Sequence, residues 1–297
     1  MIFMHLPVAI LEKKRIQRVI FSIRPTSHSV QEISSLMEIV YEMGVSCFFL
    51  PTANHLESFK ALRESTQDGT LIGFGHLEVE FGVSLTGKPL RQFESKVIST
   101  IARNIIPPEL VKKLFPAPSF DEVFTQKEID RMAFDSSRFN QSLVLFPPQG
   151  VPFLLIGGKY SDWLLGLGRS DLLKEMVSET RRKGFIPIFS GQWTTFSLPK
   201  AKPLEMAGYA IPVNKKKSLF DLTQACNIIK KFDKPVISLD PLAGGTLLTE
   251  SEEAFLFLFN ELKIHSAIAE MNSEVELHSL LGGLGKIPSL ISFHKTE

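Results

Sequence analysis

The sequence predicts an α/β protein of the (β/α)8, or TIM, barrel class. Three observations carry that expectation: eight short apolar runs, helical patterns between them, and glycine or proline at many of their junctions. None of the runs alternates apolar with polar residues, which is the pattern of strands covered on both faces of a parallel sheet. Strand and helix alternate along the chain, and eight such units close a barrel.

In order, the strand runs are Gln17–Ile23, Val45–Leu50, Thr70–Phe74, Pro152–Ile156, Phe185–Phe189, Tyr209–Val213, Pro235–Leu239 and Ser266–Ala269. The first helix opens on the capping box Ser29-x-x-Glu32, carries Ile33, Leu36, Met37 and Val40 on one face, and ends at Gly44. A second runs from Asn54 to Glu64. Asp171–Lys183 is amphipathic and closes at Gly184; Leu219–Phe232 follows strand six. Glu250–Leu262 stands behind Thr249-x-x-Glu252, and Glu274–Leu281 behind Ser273-x-x-Glu276. An open doubly wound sheet would need a glycine-rich turn after strand one, where Arg24-Pro25-Thr26-Ser27-His28 stands instead.

One connection is out of proportion. Between strands three and four the chain holds an insertion, approximately residues 80–150, with helical pieces expected around Val97–Ile106 and Ile129–Phe139. Long insertions of this kind are usually functional. Leaving the C-terminal end of strand three, it would lie over the barrel mouth as a lid, or carry a homo-oligomer contact. The whole of 1–297 is read as a single domain that includes this insertion.

Composition narrows the function classes. A hydrophobic share of 44% with 22% charged residues excludes disorder, and 33 basic against 32 acidic side chains leave no electrostatic footprint for nucleic acid. Cys47 and Cys226 form no Cys-x-x-Cys pair, so neither a disulfide framework nor a thiolate zinc site is expected. The apolar N-terminal stretch precedes its basic cluster, the reverse of a secretory leader, and no apolar run is long enough to span a bilayer. The expectation is a cytoplasmic protein with a small-molecule ligand and no membrane partner.

In the second half of the chain, Leu172–Phe189 with Ser190-Gly191-Gln192, Tyr209–Asn214, Pro235–Leu248 and Ser266–Leu277 stand in an order and spacing that resemble the fourth helix and fifth strand, sixth strand, strand-seven passage and eighth strand of the aldo/keto reductase superfamily. The resemblance implies the barrel fold. Its tetrad of Asp, Tyr, Lys and His does not carry over. The Asp-Thr-Ala-x-x-Tyr-Gly motif corresponds to Pro51-Thr52-Ala53-Asn54-His55-Leu56-Glu57, the Lys falls near Gly75 or His76, and the His falls on Gly157-Gly158-Lys159. The family's cofactor positions differ too: Gly191 replaces an Asn, and Glu270 stands where a Gly lies beside the nucleotide phosphate. A carboxylate there repels a dianion, so NADPH is disfavoured in this reading.

Chemistry in such a barrel sits at the C-terminal strand ends. These supply Arg24 and His28; Thr52, Asn54 and His55; His76, Glu78 and Glu80; Lys159 and Asp162; Ser190 and Gln192; Asn214 and Lys215; Asp240; and Glu270. His76-x-Glu78-x-Glu80 would alternate onto one face if the strand extends that far, and His76 with Glu78 could hold a divalent metal. Lys159, after Gly157-Gly158, is a Schiff-base candidate if apolar walls strip its proton, whereas Lys215 lies in a solvated lysine run. Gly244-Gly245 would cradle an anion, and Gln192 with Trp193 would wall a small-molecule pocket. The expected ligand-binding set is therefore Arg24, His28, His55, Ser190, Gln192, Trp193, Asn214, Gly244 and Gly245, with His76, Glu78, Asp240, Glu270 and Lys159 catalytic. Histidine and carboxylate on one face suit acid/base or metal-assisted lyase or hydrolase chemistry. The alternatives are an NAD(P)H-dependent oxidoreductase with a replaced tetrad, or a non-catalytic binding barrel.

Overall fold

A computed structural model describes residues 6–24, 29–78, 82–104, 122–216, 221–285 and 287. Eight parallel strands close a barrel: β3 (Val19–Ile23), β4 (Cys47–Leu50), β5 (Ile72–Glu78), β9 (Phe153–Gly157), β10 (Ile186–Ser190), β11 (Gly208–Pro212), β12 (Val236–Leu239) and β13 (Ser266–Met271). Each pairs with the next in sequence, and β13 closes on β3 with Glu270 opposite Ser22. All eight expected runs are strands, shifted by at most a few residues.

Two apolar layers hold the barrel. Ile20, Phe49, Phe74, Phe153, Leu155, Ile188, Ile237 and Ile268 fill its interior, with Phe74 and Phe153 stacked at 4.5 Å. Alternate residues of the same strands, among them Phe21, Phe48, Ile156 and Phe189, face the surrounding helices. This is why the runs read as continuously apolar.

The barrel helices are α1 (Val30–Glu42), α2 (Ala53–Thr66), α6 (Lys159–Gly166), α7 (Ser170–Arg182), α8 (Thr194–Ala201), α9 (Leu222–Lys231), α10 (Ser251–Leu256) and α11 (Glu274–Leu284). The Ser29–Glu32 capping box forms as expected. At α11 the Ser273 hydroxyl accepts from the Glu276 N–H, while the Glu276 carboxylate accepts from the Asn272 N–H, one residue earlier than in a capping box. The Thr249 box does not form: α10 starts at Ser251 without a side-chain cap and passes into a π turn over Phe257–Glu261.

Two parts differ from the expectation. The N-terminal stretch folds as an antiparallel hairpin, β1 (Val8–Leu11) with β2 (Lys14–Gln17), whose Leu11 and Ile16 plug the bottom of the barrel. The insertion contains a three-stranded antiparallel sheet of β6 (Val83–Leu85), β7 (Lys88–Pro89) and β8 (Met132–Phe134), with α3 (Glu94–Asn104), α4 (Gln126–Asp130) and α5 (Ser136–Leu143). Strand β8 thus interrupts the helix expected over Ile129–Phe139. Arg169, between α6 and α7, donates to the carbonyls of Ile129 and Met132 and ties this unit to the barrel. Among the described residues no helix is long and apolar enough to cross a membrane.

Candidate active site

The C-terminal strand ends form the mouth, and two groups of polar residues meet there. The first surrounds His76. Counting outward from Phe74, whose ring lies inside the barrel, places His76 on the same interior face of β5. Its ring centroid lies 6.4 Å from that of Phe49, and a Cβ on Gly158 would stand 3.8 Å from its Nε2. Burial pushes its pKa below the ordinary imidazole value, because the charged form loses hydration. A cavity of about 670 Å³ reaches His76 between the start of α2 and the end of the insertion, lined also by Thr52, Leu56, Leu77, Leu145 and Phe146.

The second group sits where β3, β12 and β13 end. Arg24, 3.8 Å from Glu276, lies against the glycine turn after β12: a Cβ on Gly245 would come 3.0 Å from its Nη2. Gly244 and Gly245 have φ of +65° and +91°, a backbone that favours glycine. Asp240 holds this turn by accepting from the Gly244 N–H at 2.5 Å, and its carbonyl accepts from Asn214 Nδ2. Glu270 points inward opposite Ser22. Burial raises its pKa, Asp240 adds to the rise, and Arg24 opposes it.

Other expected residues are committed to structure. His55 is buried and bridges the Ile23 carbonyl at 2.8 Å to Thr52 Oγ1 at 2.7 Å, pinning the end of β3 to α2. Trp193 is core, in edge contact with Phe196. Lys159 is half exposed, paired with Glu94 of the insertion at 2.9 Å and set over the Tyr160 and Trp163 rings. The desolvated setting a Schiff-base lysine needs is absent there. Gln192 is exposed, with its N–H turned to Asp162. Ser190 faces the mouth almost wholly buried. His28, Glu80 and the Glu78 side chain lie outside the described residues.

Sequence reasoning undervalued Asp162. Its buried carboxylate accepts from the Gln192 N–H at 2.6 Å, the Trp193 N–H at 3.2 Å and the Ser197 hydroxyl, joining α6 to the start of α8. Burial pushes its pKa up to about 7, against the lowering effect of those three donors. Gly191 belongs to this arrangement: a Cβ there would lie 2.6 Å from Asp162 Oδ1 and 2.7 Å from the Phe189 ring. Glycine at 191 was the one available signal that something else fills the space.

Solved structures similar to this chain include aldo-keto reductases. An aldo-keto reductase from Bacillus halodurans, in its holo form, aligns with a TM-score of 0.61 and 12% identity over 96% of this chain and 92% of its own. A protein of Pseudomonas aeruginosa assigned to the aldo-keto reductases gives 0.57 and 12% over 94% of each chain. A thermostable aldo-keto reductase, Tm1743, in complex with the inhibitor epalrestat gives 0.55 and 9% over 94% of each. This chain and these proteins share the (β/α)8 barrel fold. At such identities the likeness establishes the fold alone. No protein-family model matches the sequence, and no curated protein does.

The cofactor expectation needs correcting. Among the described residues no three His, Cys, Asp or Glu side chains converge on a metal position; the Glu78 side chain expected beside His76 lies outside them. The argument against NADPH falls, because the neighbours share a fold whose usual cofactor is NAD(P)H, one of them in a holo form. The repulsion assigned to Glu270 overlooked Arg24, which arrives from the first strand, and the burial that favours the uncharged form of Glu270. Nothing in these neighbours supports lyase or hydrolase chemistry.

Proposed function

We propose that this barrel is an NAD(P)H-dependent oxidoreductase of aldo-keto reductase type in which His76 takes over the proton-donating work of the missing tetrad. The observation that carries the reading is the position of His76: an imidazole on the inner face of β5 at the mouth, beside a cavity of about 670 Å³. The donor set is compatible with a dinucleotide. Arg24 beside the Gly244–Gly245 turn offers a cation to phosphate, and Gly244 has no heavy atom within 4 Å of where a Cβ would be. Ser190 and Asn214 at the ends of β10 and β11 are the polar partners for an amide.

A reduced nicotinamide, when bound, supplies the hydride to a carbonyl carbon. His76 in its charged form holds the proton for the carbonyl oxygen and passes it as the alcohol forms, leaving the neutral ring that its buried setting favours. Its lowered pKa makes it a stronger acid when charged and less often charged near neutrality, so reduction should quicken as pH falls toward that pKa. Leu56, Leu77 and Phe146 give the adjoining cavity apolar walls. The test is His76→Gln assayed with a panel of aldehydes and ketones. It should abolish reduction while leaving dinucleotide affinity within about twofold, and full activity in the variant would remove His76 from the mechanism.

A further inference from the structure

The opposite end of the barrel holds a second concavity that the chemistry at the mouth does not use. It lies at the N-terminal strand ends, between the β1–β2 hairpin, the end of α9 and the residues entering β12 and β13, and encloses about 650 Å³. That volume is in the range of small-molecule sites. Its floor is apolar, built from Phe232, Pro235, Val236, Leu262 and Ile264, and its rim is cationic, with Arg18, Lys230, Lys234 and Lys263.

The charges are unbalanced. The Arg18 guanidinium is partly buried; it donates to the carbonyls of Ile264 at 2.6 Å and His265 at 3.0 Å and lies 4.3 Å from the Phe259 ring centroid. Among the described residues no carboxylate pairs with it, nor with Lys230, Lys234 or Lys263. The one acid in the lining, Asp233, is held by Lys202 at 2.8 Å. His265 adds no charge: burial and the nearby Arg18 lower its pKa, and its nitrogens face Ser266 Oγ and the Ile10 carbonyl. The carbonyl end of α9 offsets part of one positive charge, leaving the cleft net cationic.

We propose that this cleft binds an aromatic phosphate, its ring on the Phe232–Pro235 floor and its phosphate on the Lys230, Lys234 and Lys263 rim beside Arg18. An apolar body alone would leave the cations repelling one another, and a bare anion would leave the floor wet; only a ligand with both parts answers both features. The three lysines are exposed and distant in the fold from the mouth, so they can be changed without disturbing the barrel.

The test is calorimetric titration of the full chain with 1-naphthyl phosphate, inorganic phosphate and 1-naphthol. Naphthyl phosphate should bind about tenfold or more tightly than inorganic phosphate, weaken with added salt, and leave NADPH titrations unchanged; naphthol should not saturate. The triple variant Lys230→Ala, Lys234→Ala, Lys263→Ala, checked by circular dichroism, should lose about tenfold or more in affinity. No saturation by naphthyl phosphate up to about 5 mM overturns the proposal. So does equal affinity for inorganic phosphate, an unchanged triple variant, or competition with NADPH.

Discussion

Replacing Asp162 should separate its two contributions, hydrogen bonding and charge. In Asp162→Ala the N–H groups of Gln192 and Trp193 lose their acceptor inside the protein. Each orphaned donor costs about 1–3 kcal/mol, so the loss should be about 4 kcal/mol. For a chain of this length that is a fall in Tm of roughly 8–16 °C. Asp162→Asn keeps an acceptor oxygen for both N–H groups and should cost about 1 kcal/mol. Wild type and the two variants differ in pH dependence, because only wild type titrates at this position. Folding raises this carboxyl from 3.8 to about 7, so the native state holds its proton more tightly than the unfolded chain. The stability this contributes is complete below pH 3.8 and is lost as pH rises to about 7, an interval worth up to about 4 kcal/mol. Thermal melts of wild type and both variants between pH 4.5 and 8 read this directly (pH values of about these limits suffice). Asp162→Asn, which cannot ionise, should lie about 1 kcal/mol below wild type at the acid end and overtake it as pH rises toward the alkaline end. A gap independent of pH, or a fall of under about 2 °C for Asp162→Ala, would refute the reasoning.

Further outcomes follow from the same geometry. Arg24→Ala should weaken NAD(P)H binding about tenfold, read by fluorescence titration, because the guanidinium against the Gly244–Gly245 turn is gone. Glu270 has a raised pKa, so its charge grows as pH rises through that value; dinucleotide affinity should fall over the same range, and Glu270→Gln should flatten the profile. Gly191→Ala places a Cβ against Asp162 Oδ1 and Phe189, and should cost about 2 kcal/mol or more in urea melts.

How far the sequence discloses this molecule depends on whether a residue's role is local. The barrel strands are legible because each is buried on both faces, and α1 because Ser29 and Glu32 cap it within four residues. The β1–β2 hairpin escapes notice because its turn uses Glu12 and Lys13, both at positive φ, in place of the usual Asn-Gly. In the insertion, β8 is three residues long and has no period to detect. At the site, spacing brings His76 and Glu270 to the mouth but cannot tell them from His55, which has the same strand-end address and a buried structural role. Arg24 and Glu270 belong to opposite ends of the chain. Only closure of β13 on β3 makes them neighbours, which is why the charge at the mouth was misjudged from sequence.

The central claim is that this barrel retains a dinucleotide site while changing its proton donor. Titration of purified protein with NADPH and NADH, followed by quenching of Trp163 and Trp193 fluorescence, tests it most directly. Saturable binding in the micromolar range is expected, weakened by Arg24→Ala and left intact by His76→Gln. Failure of both dinucleotides to saturate the protein at about 1 mM would contradict it.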